Sequence, residues 1–210
     1  KDPYSGSKAS AEIIIKSYQE SFFKNKKCGL ASGRAGNVIG GGDWSENRLI
    51  PDCIRALQSN KKITLRSPNS VRPWQYVLES LSGLLLIGSK LAKNPQKFGT
   101  AWNIGPISLT DISVKTLTEK IIKKWGKGSM IVEKNSLHEA TSLRLDSSKI
   151  LNLLKWSPTY STDETINDTV NWYITYNTNP KTIHDFTVSL IENYVSTASK
   201  YKKIWTITKK

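Results

Sequence analysis

The chain has 210 residues, of which 38% are hydrophobic and 23% charged, and it carries a formal net charge of +14 at pH 7. This length supplies one sizeable core or slightly more. No apolar run approaches the roughly 18 residues that span a bilayer, and the first residues lack the apolar stretch of a signal peptide, so the expectation is a cytoplasmic protein. The lysines are scattered along the chain, from Lys24, Lys26 and Lys27 to Lys200, Lys202 and Lys203. With no zinc-finger spacing or Arg-rich arm beside them, the charge reads as a basic surface with a few phosphate-binding arginines, and not as a nucleic-acid interface.

Residues 5–26 are predicted to be helical, with Ala9, Ile13, Ile14, Tyr18 and Phe22 on one face. A strand with its core at Gly29 to Arg34 leads into "NVIGGGDW". Gly40, Gly41 and Gly42 there permit positive φ or a close approach of backbone to a ligand. Residues 49–59 read as a helix with Pro51 in its first turn. Ile63 to Arg66 reads as a strand, Val77 to Lys93 as a strongly apolar helix, and "TAWNIG" as a buried strand. An amphipathic helix ending at Gly126 is expected to take Ser108 or Thr110 as its N-cap. "SMIVEK" is a strand. "DSSKILNLL" and "TDETINDTVNWYITY" are helices, the second capped by Thr162 or Asp163. From Asn177 onward the expectation is a helix and a frayed basic tail. Strands alternating with long helices predict an α/β chain with parallel strands. Cys28 and Cys53 form no CxxC and read as buried free thiols. The two histidines and two cysteines give no metal-ligand spacing.

Tyr4 and Lys8 stand four residues apart and share a helix face. An ammonium one turn away favours a phenolate, and such a tyrosine is suited to take a hydroxyl proton while hydride leaves the same carbon. The alternative for a lone YxxxK pair is a surface contact. Arg48 and Arg72 offer guanidinium forks that match phosphate oxygens, although each also fits an ordinary surface position. Asn103 lies in a strand end, where α/β proteins bind ligands. Trp74 suits either a nucleotide pocket or the core.

"DPYSGSKASAE" followed by "RAGNVIGGGDW" resembles the extended short-chain dehydrogenase/reductase family. "NRLIPDCIRAL", "SVRPWQYVLESLSGLLL" and "HEATSLRLDSSKILNLLKWSPT" narrow the resemblance, over roughly residues 1–176, to the nucleotide-sugar 4,6-dehydratases that act on CDP-glucose. Tyr76 departs from the family, which more often has His there, and a mild effect is expected. The resemblance implies a Rossmann-like doubly wound parallel sheet plus a smaller mixed α/β substrate-binding domain. Residues 1–48 would be the remnant of the NAD-binding domain, residues 49–176 mainly the nucleotide-sugar region, and residues 177–210 a C-terminal helix and tail.

The resemblance also implies NAD as cofactor and CDP-glucose as substrate. Tyr4 would be the base, and Lys8 its partner on the nicotinamide ribose. Asn37, Arg48, Leu49, Arg72, Asn103, His138 and Glu139 would contact the nucleotide sugar. Two copies would associate through the YxxxK helix. No G-x-G-x-x-G opens a βα unit in the sequence, and the family places that fingerprint, with the acid–base pair for elimination, before the tyrosine. The expectation is therefore a chain that begins part-way through its Rossmann domain and is inactive by itself. The alternatives are a nucleotide-sugar epimerase on the same scaffold and a non-catalytic nucleotide-sugar-binding remnant.

Overall fold

The computed structural model describes residues 2–106, 112–133 and 144–207. Helix α1 spans Pro3–Tyr18 and continues as a π-helical turn over Gln19–Phe23. It starts earlier and ends earlier than the sequence pattern suggests. Asp2 caps it by accepting from Ser5 N at 2.9 Å, with Pro3 in the first position, where a missing N–H costs nothing. The chain then runs β1 (Ser32–Ala35), β2 (Asn37–Ile39), α2 (Leu49–Gln58), β3 (Ile63–Leu65), β4 (Val71–Arg72), β5 (Trp74–Tyr76) and α3 (Val77–Lys93). After α4 (Pro95–Phe98) come β6 (Ala101–Ile104), β7 (Ile112–Ser113), α5 (Val114–Trp125), β8 (Met130–Val132), α6 (Ser148–Leu154), α7 (Thr162–Thr178) and α8 (Ile183–Lys200).

Strands β1 and β6, β2 and β5, and β3 and β8 pair in parallel, as the alternating pattern predicts, while β4 and β7 pair antiparallel. Two cores result. In one, α2, α5 and α7 bury Ile54, Leu117, Ile121 and Val170 against β3 and β5. In the other, α3, β6 and α6 enclose Trp102, Ile104, Ile150 and Trp156. Each such side chain is worth about 1.5–3 kcal/mol of burial. Among the described residues no helix is long and apolar enough to cross a membrane.

Two expected caps are corrected. Ile112 and Ser113 pair with β4, so α5 cannot begin before Val114, and Ser113 caps it by accepting from Thr116 N at 3.1 Å. Ser108 and Thr110 lie outside the described residues. Helix α7 is capped by Ser161, not by Thr162 or Asp163, through a capping box with Glu164. The tail is not frayed over residues 201–207: Lys203 Nζ donates to Ser157 Oγ and Pro158 O, and Trp205 stacks on Tyr194 at 5.7 Å. Cys53 is buried, which pushes its thiol up to about 12, but Cys28 is exposed because it precedes β1 in an open connection.

Candidate active site

Helix α1 buries none of its own side chains. Polar contacts tie it to the rest of the molecule. Glu12 accepts from Arg34 Nε at 2.8 Å and Nη2 at 2.7 Å, and from Ser32 Oγ at 3.0 Å. The Arg34 guanidinium holds the Glu12 carboxyl below the usual carboxylate range. Gln19 Nε2 donates to Leu30 O at 2.8 Å. Replacing Glu12 by Gln is therefore expected to loosen α1 against β1 by on the order of 1 kcal/mol, since the pair is partly exposed. Faster amide hydrogen exchange confined to α1 is the expected readout, and unchanged exchange there would count against this anchoring.

Tyr4 sits on α1 with 70% of its surface exposed. Lys8 Nζ lies 5.6 Å from the centroid of the Tyr4 ring, one turn further along. Tyr4 borders a cavity of about 1400 Å³ that Asn37, Arg48, Leu49 and Arg72 also line. Residues far apart in sequence therefore meet at one site. Arg48 is the N-cap residue of α2 and pairs with Asp43 at 3.3 Å. Leu49 opens the same helix. Arg72 is buried on β4, with its Nη1 donating to Val71 O at 2.9 Å. Asn37 opens β2, and its backbone N–H donates to Pro73 O at 3.2 Å.

Lys8 and Asn103 do not line this cavity. Asn103 turns toward α6, and its Nδ2 donates to Asp146 O at 2.9 Å. His138 and Glu139 lie outside the described residues. Lys62, Thr64, Arg66 and Glu133 line the cavity and were not singled out from sequence. Arg66 had a signal, since it closes the predicted strand Ile63 to Arg66 six residues before Arg72. A smaller cavity of about 570 Å³ shares Arg72 and Trp74 with the large one and is walled by Tyr76 and Tyr160, which stack at 5.5 Å.

The glycine run packs closely on α7, and Gly40 and Gly41 also line the cavity. A Cβ on Gly41 would fall 2.0 Å from Trp172 Cγ, and Gly42 adopts φ +84°. The loop thus lies against α7, where Tyr173 accepts from Asp43 N at 3.1 Å and donates to Asp43 O at 2.7 Å. Asp43 in turn holds Arg48 at the cavity. Gly41→Ala should destabilise the fold by roughly 1–3 kcal/mol through overpacking, lowering the melting temperature about 2–4 °C per kcal/mol. An unchanged melting temperature would contradict this packing role.

A comparison with protein families matches GDP-mannose 4,6 dehydratase over residues 1–169. The chain belongs to this family. It is 41% identical over 179 residues to a CDP-glucose 4,6-dehydratase of Salmonella typhimurium, covering 82% of this chain and 50% of that protein. It is 28% identical over 187 residues to a mouse dTDP-D-glucose 4,6-dehydratase, covering 82% of this chain and 47% of that one. The chain spans about half the length of these curated relatives.

Solved structures share the fold. A Bacillus anthracis dTDP-glucose 4,6-dehydratase in complex with NAD superposes with a TM-score of 0.69 at 24% identity, covering 86% of this chain and 54% of that one. A Bacillus cereus UDP-glucuronic acid 4-epimerase superposes with a TM-score of 0.70 at 20% identity, covering 83% and 53%. The α/β architecture is therefore Rossmann-like, as the family resemblance implies.

Proposed function

We propose that this chain carries the tyrosine and the nucleotide-sugar cavity of a cytoplasmic 4,6-dehydratase that converts CDP-glucose to CDP-4-keto-6-deoxyglucose. The observation that carries the reading is the single cavity bordered by Tyr4, Asn37, Arg48 and Arg72. A phenol and guanidinium groups suited to a diphosphate line the same cavity. The 41% identity to a CDP-glucose 4,6-dehydratase supports the choice of substrate.

The residues present fit the nicotinamide end of NAD. Tyr4 and Lys8 are exposed on one helix face, with the ammonium 5.6 Å from the phenol ring, and would hold the nicotinamide ribose. When bound, NAD supplies a hydride acceptor and donor within one turnover, so no external oxidant is used. Tyr4 takes the proton of the sugar 4-OH as the hydrogen at C4 leaves. The resulting ketone acidifies the C5 hydrogen, and the C6 hydroxyl departs with it as water. The hydride from C4 ends at C6, so oxidation and reduction balance within the sugar. Arg48 and Arg72 bind the diphosphate, and Asn37 positions the sugar. The exposed stripe of Ile13, Ile14, Tyr18 and Phe22 on α1 and the following turn supports association of two copies through this helix.

Incubation of CDP-glucose with the polypeptide as its source cell makes it tests the reading. A product lighter by one water is expected. A product of unchanged mass would favour an epimerase on the same fold, and binding without turnover would favour a non-catalytic site.

A further inference from the structure

The Tyr4 cavity is basic, with Arg48, Lys62, Arg66 and Arg72 in its wall. Three carboxylates are set among these cations: Asp43, Asp52 and Glu133. Two are engaged. Asp43 pairs with Arg48 at 3.3 Å, and Asp52 pairs with Arg55. The Glu133 carboxylate has no hydrogen-bond or ion-pair partner among the described residues, and the side chain is exposed. Its backbone is fixed nonetheless. Glu133 N–H donates to Leu65 O at 2.9 Å, which extends the register of the parallel pair β3–β8 by one bond. Glu133 thus stands, with no side-chain partner among the described residues, at the end of a paired strand in a cavity whose wall also carries Arg48, Lys62, Arg66 and Arg72. Facing a diphosphate it would only repel, so it must face a part of the ligand that donates hydrogen bonds.

We infer that Glu133 reads the nucleotide base, accepting a hydrogen bond from the exocyclic amine of cytosine. This assignment rests on the reading of the cavity as a nucleotide-sugar site. Cytosine presents an N4 amine, a donor, at the edge where uracil and thymine present the O4 acceptor. An ionised carboxylate only accepts hydrogen bonds. It therefore pairs with the first edge and repels the second. Ile63 and Leu65 are buried in the core beneath this wall, and Thr64 is the exposed residue of β3 there, while Arg48, Arg66 and Arg72 supply the charge for the diphosphate. A glutamine at position 133 would keep the size and lose the discrimination, because its amide can turn to donate to O4.

Calorimetric titration of the purified polypeptide with CDP, UDP and dTDP tests the assignment. Wild type is expected to prefer CDP over UDP and dTDP by roughly 10- to 100-fold, the range of one discriminating base contact. Glu133→Gln should shrink that preference at least about fivefold, mainly by improving UDP and dTDP binding. Glu133→Asp, which keeps the charge, should retain a preference for CDP. A CDP preference unchanged in Glu133→Gln would overturn the assignment, as would equal binding of all three nucleotides to wild type, and both results would leave the site reading standing. If none of the three binds wild type, the site reading itself falls and takes this assignment with it.

Discussion

Tyr4→Phe is expected to lower kcat for the proposed dehydration of CDP-glucose by roughly 10²–10⁴-fold, the usual contribution of a positioned proton acceptor. Only the hydroxyl is removed. The ring is 70% exposed and α1 buries no side chain, so the fold has nothing to lose. The arginines that would grip the diphosphate lie on other elements, Arg48 at the start of α2 and Arg72 on β4. KM should therefore stay within a few-fold of wild type, on the order of threefold. This split between kcat and KM is the informative readout. A variant that loses affinity and keeps kcat would make Tyr4 a binding residue only. A variant that keeps both would remove Tyr4 from the chemistry.

Glu79→Ala is expected to cost about 4 kcal/mol of folding stability. Glu79 is 1% exposed, in the first turn of α3. Its Oε1 accepts from Thr159 N and Tyr160 N, both at 2.7 Å, and its Oε2 accepts from Tyr194 OH at 2.8 Å. One carboxylate therefore joins α3, the loop before α7, and α8. Truncation strands two backbone donors, each worth about 1–3 kcal/mol when left unpaired in the interior. Chemical denaturation should show the loss as a lower midpoint with an unchanged slope. A loss under about 1 kcal/mol would mean that water or a rearranged loop satisfies those donors.

The pH dependence gives a second test of Glu79. Burial raises its carboxyl above the usual value of 4.5, against the opposing pull of its hydrogen bonds. A folded-state value above the unfolded one means that the unfolded chain releases this proton first. Stability from this group is thus full below about 4.5 and falls as pH rises toward the folded-state value. Asp168 is raised by burial too and adds a slope of the same sign. The difference between wild type and Glu79→Gln isolates Glu79, because the glutamine has no proton to release. Parallel stability–pH curves for the two proteins would contradict the account.

The sequence pattern located most elements because their causes are local. Helices α2 and α3 follow from apolar spacing and from Pro51 in the first turn of α2, and their observed limits lie within a residue of those expected. The cap of α7 is also local: Ser161 and Glu164 stand in capping-box spacing, beside Thr162 and Asp163, which are cap-forming residue types too. The start of α5 was not local, since β7 exists only because β4 lies opposite it.

Long-range packing accounts for most of what the sequence did not reveal. The three glycines allow either positive φ or a close approach of backbone to a ligand; Gly42 takes φ +84°, Gly40 and Gly41 line the cavity, and what the sequence did not reveal is that Gly41 also packs on Trp172 of α7. The role of the tail depended on Lys203 and Trp205 finding Pro158 and Tyr194. At the site, the family motifs nominated Tyr4, Asn37, Arg48, Leu49 and Arg72, and these border one cavity. Glu133 carried no motif, and only the pairing of β8 with β3 places it in that wall.

The most direct test of the proposed chemistry is the fate of the hydrogen at C4. CDP-glucose carrying deuterium at C4 is turned over, and the product is read by NMR. The account predicts a 4-keto product with the deuterium at C6, one label per molecule. Deuterium retained at C4 of an intact sugar, or washed out into solvent, would contradict it.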